Sequence, residues 1–308
     1  MPPNRIAAAF TLMLSTALAG ATVAPAQTMD DMPLVAKRTI DVGVVYSVDR
    51  WSRYWEGTLE RSNQNIGKLT TENVAFVAAY GVTDRFDLSA TMPYVRTTAS
   101  QGTLHEMSGI QDVNLMTRYR VLRTPFTSRA VFNATVVGAL GIPATNYTPD
   151  YLPLSIGSAS RRATARMVIG VQSNEWWFVN GSAGYTWRAN VHLDRSAYFT
   201  QDQLYLTNEV EMPDIADYTV SAGYRAGRLC IPVFVTQQRT RGGGDIRRQD
   251  MPFVSNRMDF VKGGASIMYT FPVPQRVAIQ FGMMRTLSGR NVGNSETYTA
   301  GVTYAIHR

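Results

Sequence analysis

The chain has 308 residues, 45% hydrophobic and 17% charged, and carries a formal net charge of +7. A mean hydropathy of −0.13 suits a water-soluble protein and equally a membrane barrel with a polar interior and polar loops. The positive charge is spread along the chain, which argues against a nucleic-acid surface, and the lone Cys230 excludes an intramolecular disulfide.

The N-terminus has the layout of a secretory signal. Arg5 supplies the positive charge, residues 6–18 form a short apolar core, and Ala24-Pro25-Ala26 makes a small-residue cleavage site. Residues 1–26 are therefore expected to be a signal peptide, with the mature chain starting near Gln27. No later segment approaches the roughly 18 consecutive apolar residues of a spanning helix, so any membrane passage must be made by strands. Residues 27–38 are then a periplasmic segment or a plug for a membrane barrel.

From residue 39 the chain reads as short amphipathic strands. In 39–49, Ile40, Val42, Val44, Tyr46 and Val48 share a face. The next strands are expected at 70–80 and from Phe86, where Phe86, Leu88, Ala90 and Met92 oppose Arg85, Asp87, Ser89 and Thr91. Further strands are expected at 109–122, 129–141, 162–172, 176–189, 214–225, 229–240, 257–271, 276–287 and 295–306. The strand at 162–172 is the clearest: Ala163, Ala165, Met167, Ile169 and Val171 lie on one face, and Thr164, Arg166, Val168, Gly170 and Gln172 on the other. A side-chain period of two with one apolar face means a half-buried strand.

The connections carry equal weight. Short joints at 81–84, 123–128, 173–175, 226–228 and 272–275 alternate with long ones at 51–69, 97–108, 142–161, 190–213, 241–256 and 288–294. In outer-membrane barrels the short turns are periplasmic and the long loops extracellular. Aromatic residues near strand ends, among them Tyr46, Tyr80, Tyr94, Tyr119, Trp176, Trp177, Tyr185, Trp187, Tyr224, Tyr269, Phe271 and Tyr304, fit the girdles of such barrels. A soluble β-sandwich also alternates, but it needs neither the strict short–long order nor terminal aromatics. The expected fold is all-β, a transmembrane antiparallel up-and-down β-barrel of about twelve strands over 39–308, in a Gram-negative outer membrane.

Two segments carry a family resemblance. G-x-T-D-x-x-D-L-x-x-x-x-P-Y at 81–94 and G-x-x-D-x-x-L-x-x-R-Y at 109–119 resemble the family named for the MetA pathway of phenol degradation, a set of outer-membrane barrels described as transporters. LGIPATN at 140–146 resembles a third family segment, with Thr145 where glycine is expected. The resemblance implies export, a barrel and a role with aromatic or other hydrophobic compounds. The last strand also resembles an outer-membrane assembly signal through Thr299, Gly301, Tyr304 and Ile306, although the chain ends His307-Arg308 rather than in an aromatic residue. This implies the barrel-assembly machinery as a partner, beside outer-membrane lipids and lipopolysaccharide.

Charges on the polar strand faces are the candidate lumen lining: Asp87, Asp112, Arg118, Arg120, Arg166, Arg188 and Arg225. Asp87 is expected opposite Arg118 or Arg120. Such a pair forms either a charge-selective constriction or a salt bridge that holds register. The three histidines, His105, His192 and His307, lie outside the strand interiors, and no catalytic, metal or phosphate-binding motif is present. Neither a cofactor nor a metal is expected. The function expected is a passive path for a small-molecule solute, hydrophobic or aromatic. The alternatives are an adhesive or structural barrel with a plugged lumen and, with less support, a lipid-modifying enzyme.

Overall fold

The computed structural model describes residues 29–30, 33–103, 105–247, 252–273 and 276–307. The expected signal peptide, Gln27 and the centre of the 241–256 loop lie outside the described residues.

Twelve long strands form the wall: β1 (Thr39–Trp51), β2 (Leu69–Thr83), β3 (Phe86–Ala99), β4 (Asp112–Thr127), β5 (Ala130–Pro143), β6 (Arg162–Ser173), β7 (Trp177–Arg188), β8 (Asp214–Ala226), β9 (Leu229–Arg241), β10 (Asp259–Thr270), β11 (Val277–Arg290) and β12 (Glu296–His307). A short piece, Met107–Ile110, pairs with β3 above β4 and continues that stave past Gln111. Each strand pairs antiparallel with its sequence neighbour, and β1 pairs with both β2 and β12. The sheet is therefore closed, with no edge to leave backbone groups unpaired, as hydrocarbon surroundings demand.

The period-two pattern sorts the side chains. On β8, Tyr218, Val220 and Tyr224 point outward and are 46%, 62% and 39% exposed, while Thr219 between them is buried. The outer face is largely apolar, with Phe76, Met92, Leu115, Ile169, Val235 and Phe281 among its exposed residues. Aromatics border this band. Tyr304 and Tyr298 on β12, like Tyr224 and Tyr218 on β8, are six residues apart, about 20 Å at 3.4 Å per residue. That distance runs along the strand, and aromatic pairs placed this way resemble the girdles that flank the apolar belt of a transmembrane barrel.

The expected count of twelve strands matches this fold. The connections alternate long and short as far as β10, but the joint 271–276, expected to be short, is longer than the joint 291–295, expected to be long. Two further differences stand out. The sequence suggested that the fourth strand stops at Leu122, but β4 runs on to Thr127. A register shift between Arg120 and Leu122 inserts a bulge, so that Val121 and Leu122, 52% and 46% exposed, both face outward. The long connections also contain structure of their own. Arg53–Glu56 pairs with Leu59–Ser62, Val191–His192 with Glu209–Val210, and Tyr198–Thr200 with Gln203–Tyr205. Val191, Leu193, Tyr198, Val210, Met212 and Val254 form a small hydrophobic core among these loops.

Candidate functional site

The inner face of the barrel is the candidate site, and its charges are arranged in tiers. At the long-loop end Asp112, 1% exposed, pairs with Arg162 at 3.0 Å and accepts a hydrogen bond from the Tyr147 hydroxyl at 2.6 Å. Arg162 also donates to Asn114 Oδ1 at 2.7 Å. The Tyr147 phenol, on the loop, is pushed well above its ordinary range, first by burial and then by its bond to the Asp112 carboxylate. Nearby, Arg188 donates from Nε to the Pro213 carbonyl at 2.7 Å, and its backbone N–H donates to Asp214 at 3.0 Å.

Deeper in, Arg166 binds the Asp30 carboxylate at 2.6 Å and pairs with Asp217. Ser182 donates to the same Asp30 oxygen at 2.5 Å. Beside this network Met29 packs on Met116, Val137, Ala139 and Val168, an apolar patch on the inner wall. Residues 29–30 precede β1 in sequence, so the N-terminal segment reaches across the lumen to β6 and β7.

The same segment is held at a second point. Asp87 accepts from the Val35 backbone N–H at 2.8 Å while it binds Arg118. Arg38 N–H donates to the Gly81 carbonyl at 2.7 Å. Gly81 is required here because a Cβ would overlap the Ala36 carbonyl. Asp41, 6% exposed on β1, has no hydrogen-bond partner for either carboxylate oxygen among the described residues.

At the short-turn end a cavity of about 560 Å³ opens below Pro33 and Leu34. Arg120, Arg123, Arg225 and Arg228 line it, and Arg225 sits over the Phe178 ring at 5.0 Å.

All seven residues singled out from the sequence thus sit on the inward phase of their strands, but in separate tiers. Asp87 joins Arg118, not Arg120. Asp112 and Arg188 are near the long loops, Arg166 is in the middle, and Arg120 and Arg225 share the lower cavity. Sequence reasoning missed Asp30, Asp41, Arg162 and Asp217. The phase of DIADYTVSAG contains the signal for Asp217, which alternates with Tyr218 and Val220. Asp30 had no local signal, because its partner Arg166 is 136 residues away.

No family model matches the sequence, and no curated protein matches it significantly. Among solved structures the chain is similar to the COG4313 outer membrane channel from Pseudomonas putida F1, at 18% identity, with 91% of this chain and 99% of that chain covered and a TM-score of 0.71. It is also similar to the NanC porin (8% identity, 84% and 98% covered, TM-score 0.45) and to the CymD monoaromatic hydrocarbon channel (12%, 88% and 90%, 0.39). At these identities the first match establishes a shared fold: this chain folds as an outer-membrane-type β-barrel of twelve strands.

Proposed function

We propose that this protein is a multi-pass outer-membrane barrel that gives small hydrophobic or aromatic molecules a passive path through its lumen, with the segment 27–38 acting as a plug. The observation that carries this reading is how the lumen is filled. Among the described residues its centre holds Met29, Asp30 and Val35 of the N-terminal segment, bound through Asp30, the Val35 N–H and the packing of Met29 on the inner wall. A few polar bonds can exchange for water or solute far more easily than a jigsaw core can repack.

The path is lined by Asp87, Asp112, Arg118, Arg120, Arg166, Arg188 and Arg225. Solute moves down its gradient, with no cofactor and no chemical step. The apolar patch of Met116, Val137, Ala139 and Val168 offers a surface on which a hydrophobic solute sheds water. Resemblance to the family named for the MetA pathway supports membership there and aromatic solutes, and similarity to an outer membrane channel supports the transport role. Thr299, Gly301, Tyr304 and Ile306 on β12 would present the strand to the assembly machinery, and the basic loops would meet lipopolysaccharide.

A second reading, a surface role for the loops, is favoured by their own core and by Phe199, Leu204 and Leu206, which are 53%, 64% and 81% exposed. Liposome flux separates the two. A channel admits phenol-sized solutes at a rate that scales with protein density, whereas folded protein that leaves liposomes impermeable supports the loop role.

A further inference from the structure

We propose that the cavity at the short-turn end is a binding site for a small organic carboxylate with an apolar body. As a station on a solute path it rests on the channel reading, but occupancy of the site does not itself require conduction.

The lower arginines differ from those above them. Arg118, Arg162 and Arg166 each have a carboxylate partner. Arg120, Arg123, Arg225 and Arg228 line one cavity and make no ion pair among the described residues. The one carboxylate on this lining, Glu175, pairs with the exposed Arg129 at 3.7 Å. Arg120 Nε is buried with no hydrogen-bond partner, and its Nη1 reaches only the Asp84 carbonyl at 3.4 Å. A guanidinium is always charged, and fixed charges of one sign around a low-dielectric cleft focus their field into it. The cavity is therefore built for an anion.

Two features select the kind of anion. The flat guanidinium fork matches a carboxylate through paired parallel hydrogen bonds. The walls between the arginines include Leu34, Val131, Leu229 and Met268, which would cover an apolar body. Phe178 lies under Arg225, a cation–π contact at 5.0 Å. The volume, about 560 Å³, lies within the range of small-molecule pockets.

The test is equilibrium binding to the full chain in detergent, read by calorimetry with benzoate, benzyl alcohol and inorganic phosphate as probes. Benzoate is expected to bind at least tenfold more tightly than either of the others. Arg120→Gln and Arg225→Gln should each weaken it about tenfold, while Arg96→Gln at the opposite end should leave it unchanged. Phosphate binding as tight as benzoate would overturn the organic-carboxylate assignment, and benzyl alcohol binding as tight as benzoate would overturn the anion site. If the variants fail to fold, phenylglyoxal labelling of the unaltered protein decides. Benzoate should protect Arg120 and Arg225 more than Arg96, and equal labelling overturns the proposal. A barrel that binds benzoate but passes no solute would sink the channel and leave this site standing; one that passes solute without binding benzoate would do the reverse.

Discussion

Arg118 donates to both carboxylate oxygens of Asp87, from Nε at 3.0 Å and from Nη2 at 2.6 Å, with the two side chains 0% and 1% exposed. The pair lies directly across the β3–β4 register. Removing one partner strands a buried charge, which typically costs about 3–5 kcal/mol. Arg118→Met is therefore expected to lower the unfolding free energy, measured by urea titration in detergent, by a similar amount. Because a well-packed apolar replacement of both partners is often near neutral, the double change Asp87→Leu with Arg118→Met should recover most of that loss. It would still lack the acceptor for the Val35 N–H.

Asp30 is the second anchor of the N-terminal segment. Asp30→Ala removes the bonds to Arg166 and Ser182 without touching the wall. The unfolding midpoint should move little, while protease cleavage before residue 38 accelerates several-fold. Unchanged cleavage would mean that Asp30 does not hold the segment.

The outward face of β8 tests the membrane placement. Val220 is 62% exposed and lies between Tyr218 and Tyr224. An arginine there would sit in hydrocarbon, and Val220→Arg should destabilise the barrel in lipid bilayers by about 2–4 kcal/mol. The inward Thr219→Arg avoids that lipid penalty, so equal losses for the two would argue against this face meeting lipid.

In the loops, the hydrogen bond from Arg290 to Asp245 holds this carboxyl below its ordinary range, with a further contribution from Asn291. A carboxylate depressed by folding stabilises the fold fully above its unfolded pKa of about 3.9. That contribution fades as pH falls through the lower folded value. Asn291 also accepts from the Gly57 and Ile246 N–H groups. Hydrogen exchange around residues 242–247, taken relative to the intrinsic rate at each pH, is thus expected to be slow at pH 6 and to quicken below about pH 4. In Asp245→Asn it should already be fast at pH 6.

Most of the wall was legible because its physics is local. A strand such as β6 needs only alternation, so Arg166 and Val168 could be placed inward by counting. Counting failed where the phase slips, as at the bulge that turns Val121 and Leu122 both outward. It also failed in the loops, where two-residue pairs such as Val191–His192 with Glu209–Val210 are too short to show a period. The tiers inside were only half visible. Which strand faces carry charge can be read from sequence, but which charges meet depends on stagger and on a segment more than a hundred residues away, as with Asp30 and Arg166.

Single-channel conductance in planar bilayers tests the central claim most directly, comparing the full chain with one lacking residues 29–36. Small or brief conductance is expected for the full chain, and a sustained, several-fold larger conductance once the segment is gone. A correctly folded, shortened barrel with conductance no larger than that of the full chain would contradict it.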